Sequence, residues 1–168
     1  RAERVRRRMR HVDTRARLGY AVLRVRNLER SLVFYQRFLG LRLVERVGSG
    51  YAFLSGSARH HDLALIQVGT DALDQPPGIV GVERIAFELP DPQTFARTYQ
   101  RLCEQNIPLK TVDRMIAWVM SFADPDGNRI EAYCDRRDLP GAADLWQGRD
   151  LPLPPEKILA ALQAPSEG

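Results

Sequence analysis

The chain has 168 residues, 44% of them hydrophobic and 27% charged, a composition that fits one globular domain and excludes a disordered or fibrous chain. Two cysteines, Cys103 and Cys134, exclude a disulfide framework and a cysteine-rich zinc site. No apolar run reaches the roughly 18 residues that a membrane-spanning helix needs. The net charge of +4 belongs to the first 17 residues, where eight arginines face only Glu3 and Asp13; that segment is +6 and residues 18–168 carry −2. A basic arm can bind nucleic acid. Here no aromatic residue interleaves the arginines, so a solvated terminus is the reading and nucleic-acid binding is not expected. The segment also lacks the apolar stretch of a secretory signal, and a cytoplasmic location is expected.

Gly19–Val25 alternates Ala21, Leu23 and Val25 with Tyr20, Val22 and Arg24, the period of a strand. Asn27 can cap a helix that carries Leu28, Leu32, Tyr35 and Leu39 on one face and stops at Gly40. Leu41–Val47, Tyr51–Ser55 and His61–Val68 read as strands, with Gly48, Gly50 and Gly56 between them. Residues 69–81 hold Pro76, Pro77, Gly78 and Gly81 and read as a linker. The order then repeats. Val82–Leu89 is a strand, and Asp91-Pro92 opens a helix to about Asn106 with Phe95, Tyr99 and Leu102 on one face. Pro108–Val112, Ala117–Phe122 and Arg129–Cys134 are strands, the last two joined by a turn at Asp124-Pro125-Asp126-Gly127. The chain thus divides into a basic tail (1–17), two tandem βαβββ modules (18–68 and 82–135) around the linker, and a C-terminal extension (136–168) with a short apolar helix at Ile158–Leu162.

Two stretches carry more than pattern. One is Leu18-Gly19-Tyr20-Ala21-Val22-Leu23-Arg24-Val25-Arg26-Asn27-Leu28-Glu29-Arg30-Ser31, continuing to Phe34-Tyr35 and Leu39-Gly40-Leu41. The other is Asp124-Pro125-Asp126-Gly127-Asn128-Arg129-Ile130-Glu131. Together with Arg59-His60-His61-Asp62-Leu63-Ala64-Leu65, they resemble the vicinal oxygen chelate superfamily: glyoxalase I, bleomycin-resistance proteins and type I extradiol dioxygenases, the last above all. The resemblance implies an α+β fold in which two βαβββ modules curl into a partly open cup. It also implies a divalent metal, usually iron(II), on two histidines and a glutamate. The glutamate matches Glu131. The first histidine's place is taken by Tyr20, and the second's by Arg84, in Gly81-Val82-Glu83-Arg84-Ile85-Ala86-Phe87. Two supporting positions, a histidine and a tyrosine in the family, are Arg114 and Ser121 here. The family's acid/base histidine matches His61.

The histidine count points the same way without the family. The chain has only His11, His60 and His61. A facial triad needs two neutral imidazoles and a carboxylate aimed at one point. Adjacent residues of a regular strand face opposite sides, so His60 and His61 are not expected to share a metal. Arginine keeps its proton and has no lone pair to give. No metal cofactor is therefore expected. Parity instead places Tyr20, Arg84 and Glu131 inside the cup, with Arg84 paired to Glu131 and Arg114 adding positive charge. His61 is the candidate proton-transfer residue. Arg114, Ser121 and Trp118 are candidate substrate contacts. The expected ligand is a small anionic or phenolic molecule, and the expected assembly a homodimer. The leading reading is a metal-independent enzyme doing proton chemistry of isomerase, cyclase or lyase type. A ligand-sequestering protein of the bleomycin-resistance type and an inactive regulatory homologue stay open. Metal-dependent ring cleavage is the least favoured. Arg84–Glu131 as a purely structural pair stays open too.

Overall fold

The computed structural model describes residues 15–139 and 141–163, so most of the arginine-rich tail lies outside the described residues. Among the described residues, nine strands form two mixed sheets, and three helices complete an α+β fold with no closed barrel. The first sheet holds β1 (Ala21–Val25), β2 (Arg42–Val47), β3 (Tyr51–Ser55) and β4 (Leu63–Gln67) in the order β1-β4-β3-β2. The second holds β5 (Ile85–Glu88), β6 (Lys110–Asp113), β7 (Ala117–Ala123), β8 (Arg129–Asp135) and β9 (Leu151–Pro152) in the order β5-β8-β7-β6-β9. In each sheet the first strand runs parallel to the last strand of its βαβββ unit, and the other pairings are antiparallel. The two-residue strand β9 extends the second sheet beyond the repeat.

Local chemistry sets the helix ends. Asn27 is extended and its side chain accepts the Arg30 N–H at 2.9 Å, which starts α1 (Leu28–Leu39). Gly40 ends that helix in the left-handed region at φ 65°, where a Cβ would be strained. Asp91 caps α2 (Pro92–Glu104) by accepting the Thr94 N–H at 2.6 Å, with Pro92 at the first turn. The apolar C-terminal segment forms α3 (Pro155–Ala160) and a single 3₁₀ turn (Ala161–Gln163), which pack on α2 through fully buried Ile158.

One apolar core joins both sheets. Tyr35, Leu54, Leu65, Phe95, Leu102, Met120 and Ile130 are fully buried in it. Each large side chain so buried stabilises by about 1.5–3 kcal/mol. Helix α1 reaches across to the second sheet: the Phe34 and Phe122 rings lie 6.1 Å apart and the Tyr35 and Phe87 rings 6.3 Å apart. Along β8, Ile130, Ala132 and Cys134 point to the helices, so Arg129, Glu131, Tyr133 and Asp135 take the opposite face. On β7 the same alternation turns Trp118, Met120 and Phe122 towards the helices and sets Ser121 on the helix-free face beside Glu131.

The strand from His61 is shorter than the sequence suggests. β4 begins at Leu63, and His60 and His61 lie in the loop before it. Asp62 explains this end. Its carboxylate accepts from the Gly56 N–H at 2.9 Å, Ser57 Oγ at 3.0 Å and Ser55 Oγ at 3.1 Å, which folds residues 55–62 into a tight loop. The expected opposite facing of His60 and His61 therefore does not hold. The strand over Val82–Leu89 likewise shrinks to Ile85–Glu88. Among the described residues, no helix is long and apolar enough to cross a membrane.

Candidate functional site

On the helix-free face of the second sheet, Glu131 is the focus. Its side chain is 8% exposed, and two guanidinium groups hold its carboxylate. Arg84 Nη1 donates to Oε1 at 2.6 Å; Arg114 donates from Nη2 to Oε1 at 3.2 Å and from Nη1 to Oε2 at 3.3 Å. Ser121, opposite Glu131 in the β7–β8 register, places Oγ 3.5 Å from Oε1. Two arginines thus share one carboxylate through charge-assisted hydrogen bonds. Arg114 is itself braced by Asp150, whose Oδ1 accepts from Nε at 3.2 Å, and by the Trp146 ring, 5.2 Å away. Burial works against the Arg114 charge, but Glu131 and Asp150 more than offset it and raise its pKa above the ordinary value. The segment that carries Trp146 and Asp150 lines a cavity of about 260 Å³ with Met115 and Leu145.

The first sheet supplies a different chemistry. Tyr20 leads into β1, and its ring lies 4.3 Å from that of His61. Phe53, on β3, lies 5.0 Å from the same imidazole. His61 Nδ1 is 2.9 Å from His60 Nδ1, and His60 Nε2 is 3.1 Å from Glu45 Oε2 on β2. Asp62 takes no part. Burial works against its charge, but the donors in its loop outweigh that and hold its carboxyl below the ordinary carboxylate value. A larger cavity, about 450 Å³, lies at the edge of the sheets between the linker residues Asp74–Ile79, the Asp126–Arg129 turn and Arg84.

The structure thus gathers the candidate residues into two groups. Arg84, Arg114, Ser121 and Glu131 form one; Tyr20 and His61 form the other. No hydrogen bond, ion pair or ring contact among the described residues joins the two. Trp118 belongs to neither, which corrects its candidacy as a substrate contact. On β7 it shares the helix-facing side with Met120 and Phe122, packs on Phe95 at 5.9 Å, and is covered by Arg136 at 4.2 Å. Parity explains this: Ser121 faces Glu131, so Trp118, three residues away, must face the helices. Glu45, His60 and Asp150 are the residues that sequence reasoning missed. His60 was obscured by the assumption of a strand; Glu45 and Asp150 had no sequence signal, because only the β2–β3 pairing and the path of the C-terminal segment bring them near.

The family model described as "Glyoxalase/Bleomycin resistance protein/Dioxygenase superfamily" matches residues 17–132. A catechol-2,3-dioxygenase of Bacillus subtilis (strain 168) is 32% identical over 127 residues, which is 75% of this chain and 43% of that protein. The chain therefore spans less than half the length of that relative. Biphenyl-2,3-diol 1,2-dioxygenase 3 of Rhodococcus globerulus is 28% identical over 137 residues, 80% of this chain and 72% of that protein. Among solved structures, a glyoxalase/dioxygenase from Nostoc punctiforme superposes with TM-score 0.60 at 25% identity, over 71% of this chain and 91% of that one. A glyoxylase/bleomycin resistance protein/dioxygenase domain from Frankia has TM-score 0.61 at 18% identity, over 73% and 100%, a likeness of fold alone.

Proposed function

The chain belongs to the glyoxalase/bleomycin resistance protein/dioxygenase superfamily, and on that premise we propose that its helix-free face binds a small phenolic or anionic molecule and does proton chemistry on it without a resident divalent metal. The observation that carries this reading is the double clamp of Arg84 and Arg114 on Glu131. Both oxygens of the one carboxylate in the group already accept from guanidinium N–H groups. Arg84 offers a fixed positive charge where an iron ion would need a lone pair. The residues at this place do not fit a two-histidine, one-carboxylate metal centre. They offer guanidinium N–H donors to an anionic oxygen, with Arg84 the more exposed of the two, while Glu131 and Asp150 together balance the two guanidinium charges.

The ligand class is inferred from the relatives' printed names and from the residue types in each of the two groups. The relatives are named for catechol and biphenyl-2,3-diol; an aromatic diol or its anion has the flat apolar ring that Tyr20 and Phe53 suit, and the acidic hydroxyls that Arg84 and Arg114 suit. In this reading Arg84 and Arg114 stabilise developing negative charge on a phenolic oxygen. His61 accepts or returns the proton. Ser121 helps to fix Glu131.

A chromophoric catechol such as 4-nitrocatechol tests the proposal, with metal content measured on the same sample. The expected result is substoichiometric iron, manganese and zinc, a saturable absorbance change that EDTA leaves intact, and an affinity about tenfold weaker in Arg114→Ala. Stoichiometric metal together with binding that a chelator abolishes overturns it. Probe that binds and is recovered unchanged, with no exchange of its ring protons in D₂O, moves the assignment to a ligand-sequestering protein.

A further inference from the structure

We infer that Glu45, His60 and His61 form a proton relay that fixes which nitrogen of His61 meets the ligand. The inference rests on the reading of His61 as the proton-handling residue and adds two positioning residues to it. Three contacts carry it. Glu45 Oε2 stands 3.1 Å from His60 Nε2, His60 Nδ1 stands 2.9 Å from His61 Nδ1, and the His61 ring lies between Tyr20 at 4.3 Å and Phe53 at 5.0 Å.

Elimination assigns the protons. A carboxylate oxygen 3.1 Å from an imidazole nitrogen disfavours a lone pair on that nitrogen, because two lone pairs repel; this ion-pair contact therefore puts the N–H of His60 on Nε2. A neutral imidazole has one donor and one acceptor nitrogen. His60 Nδ1 is then the acceptor, and His61 Nδ1 must be the donor. That leaves a lone pair on His61 Nε2, so the relay presents a base. When Nε2 takes a proton from a bound phenol, the Nδ1 proton of His61 passes to His60 Nδ1. His61 returns to neutrality with its N–H now on Nε2. The positive charge moves to His60, where Glu45 balances it, and the phenolate left behind keeps the electron pair of the broken O–H bond. In the reverse direction the same Nε2–H is an acid. The outer end of the relay reaches solvent, with the side chains of His60 and Glu45 56% and 51% exposed, so the stored proton has an exit to water.

The other charged groups nearby are engaged elsewhere. Arg59 Nη1 donates to the Leu18 carbonyl at 3.1 Å and to that of Gly19 at 3.2 Å. Asp62 is held by Ser55, Gly56 and Ser57. Arg46 pairs with Glu29. Tyr20 presents its ring to His61.

The experiment reads imidazole tautomers directly, from long-range ¹H–¹⁵N correlations of the ¹⁵N-labelled full chain at a pH where the imidazoles are neutral. With only three histidines, His60→Ala and His61→Ala assign every signal, and His11 in the basic tail serves as an internal reference. The relay predicts His61 in the Nδ1–H form in the unaltered protein. His60→Ala should shift its tautomer ratio about tenfold towards Nε2–H. His60→Asn, whose amide oxygen sits where Nδ1 was, should restore the Nδ1–H form. Glu45→Ala should release the His60 tautomer. An Nε2–H His61 in the unaltered protein overturns the relay, and so do His60→Ala and His60→Asn spectra that are alike. The measurement uses no ligand, so the relay can fail while 4-nitrocatechol still binds, or hold while it does not.

Discussion

Tyr35 has no exposed surface, and its hydroxyl donates to Asp124 Oδ2 at 2.8 Å. Asp124 also accepts the backbone N–H groups of Asp126 and Asn128, each at 2.9 Å, so one carboxylate shapes the turn and ties it to α1. Burial first, and then the charge of Asp124, push the Tyr35 phenol far above its ordinary value. Burial pushes the Cys134 thiol up to about 11. Both groups hold their protons more tightly folded than unfolded, so their contribution is complete below the unfolded values and is lost as pH rises past them. The unfolded values are about 8.5 for Cys and 10 for Tyr. Urea unfolding should therefore show stability falling from about pH 8.5, by up to about 1.4 kcal/mol per pH unit from Cys134, and more steeply above pH 10. Tyr35→Phe should cost about 1–2 kcal/mol at neutral pH and reduce the steeper part, to which Tyr99 and Tyr133, also raised by burial, contribute the rest. At this scale the Arg84–Glu131 contact was legible from strand parity and residue type. The His60–His61 contact was not, because it depends on where a strand starts.

Strand and helix ends explain most of the difference between pattern and structure. Helix α1 was legible from Asn27 to Gly40, since both ends carry their own chemistry. The start of β4 was not. Asp62 collects its donors from residues that a strand pattern treats as ordinary loop, and this removes His61 from the strand. Trp118 shows the reverse case: parity counted from Glu131 through its β7 partner would have placed it among the helices. The Asp91 cap offers a test at this scale. The Thr94 N–H outweighs the opposing effect of burial and sets the Asp91 carboxyl below its ordinary value. Its contribution is thus present above about pH 3.9 and lost as pH falls through the folded value. Asp91→Ala should lower stability by about 1 kcal/mol at neutral pH, with the difference from the unaltered protein shrinking in acid.

The whole molecule has one core under two sheets. Arg26 and Arg30 of the first βαβββ unit both reach Asp126 of the second, at 3.4 and 2.8 Å, and the Phe34 and Tyr35 rings pack across the same boundary. Halves joined in this way should unfold together. Calorimetric and van't Hoff enthalpies are expected to agree in a single transition; two resolved transitions would show that each half is stable alone. The repeat itself was legible as a recurrence of strand and helix patterns. Its fusion into one core was not, because the aromatic contacts across the boundary have no periodic signal.

The exposed connection between the two units has a practical corollary. Residues 76–82 are all exposed, and the anchoring contacts flank them: Arg26 donates to the Ala72 carbonyl at 2.7 Å and pairs with Asp74 at 2.6 Å on one side, and Arg84 pairs with Glu131 at 2.6 Å on the other. A cut there severs no strand pairing and leaves the shared core intact. A protease site placed at residues 78–81 should yield a nicked protein whose two fragments co-elute in size exclusion and part only in denaturant. The chain would then be a split protein in waiting, with each βαβββ unit the template on which the other folds.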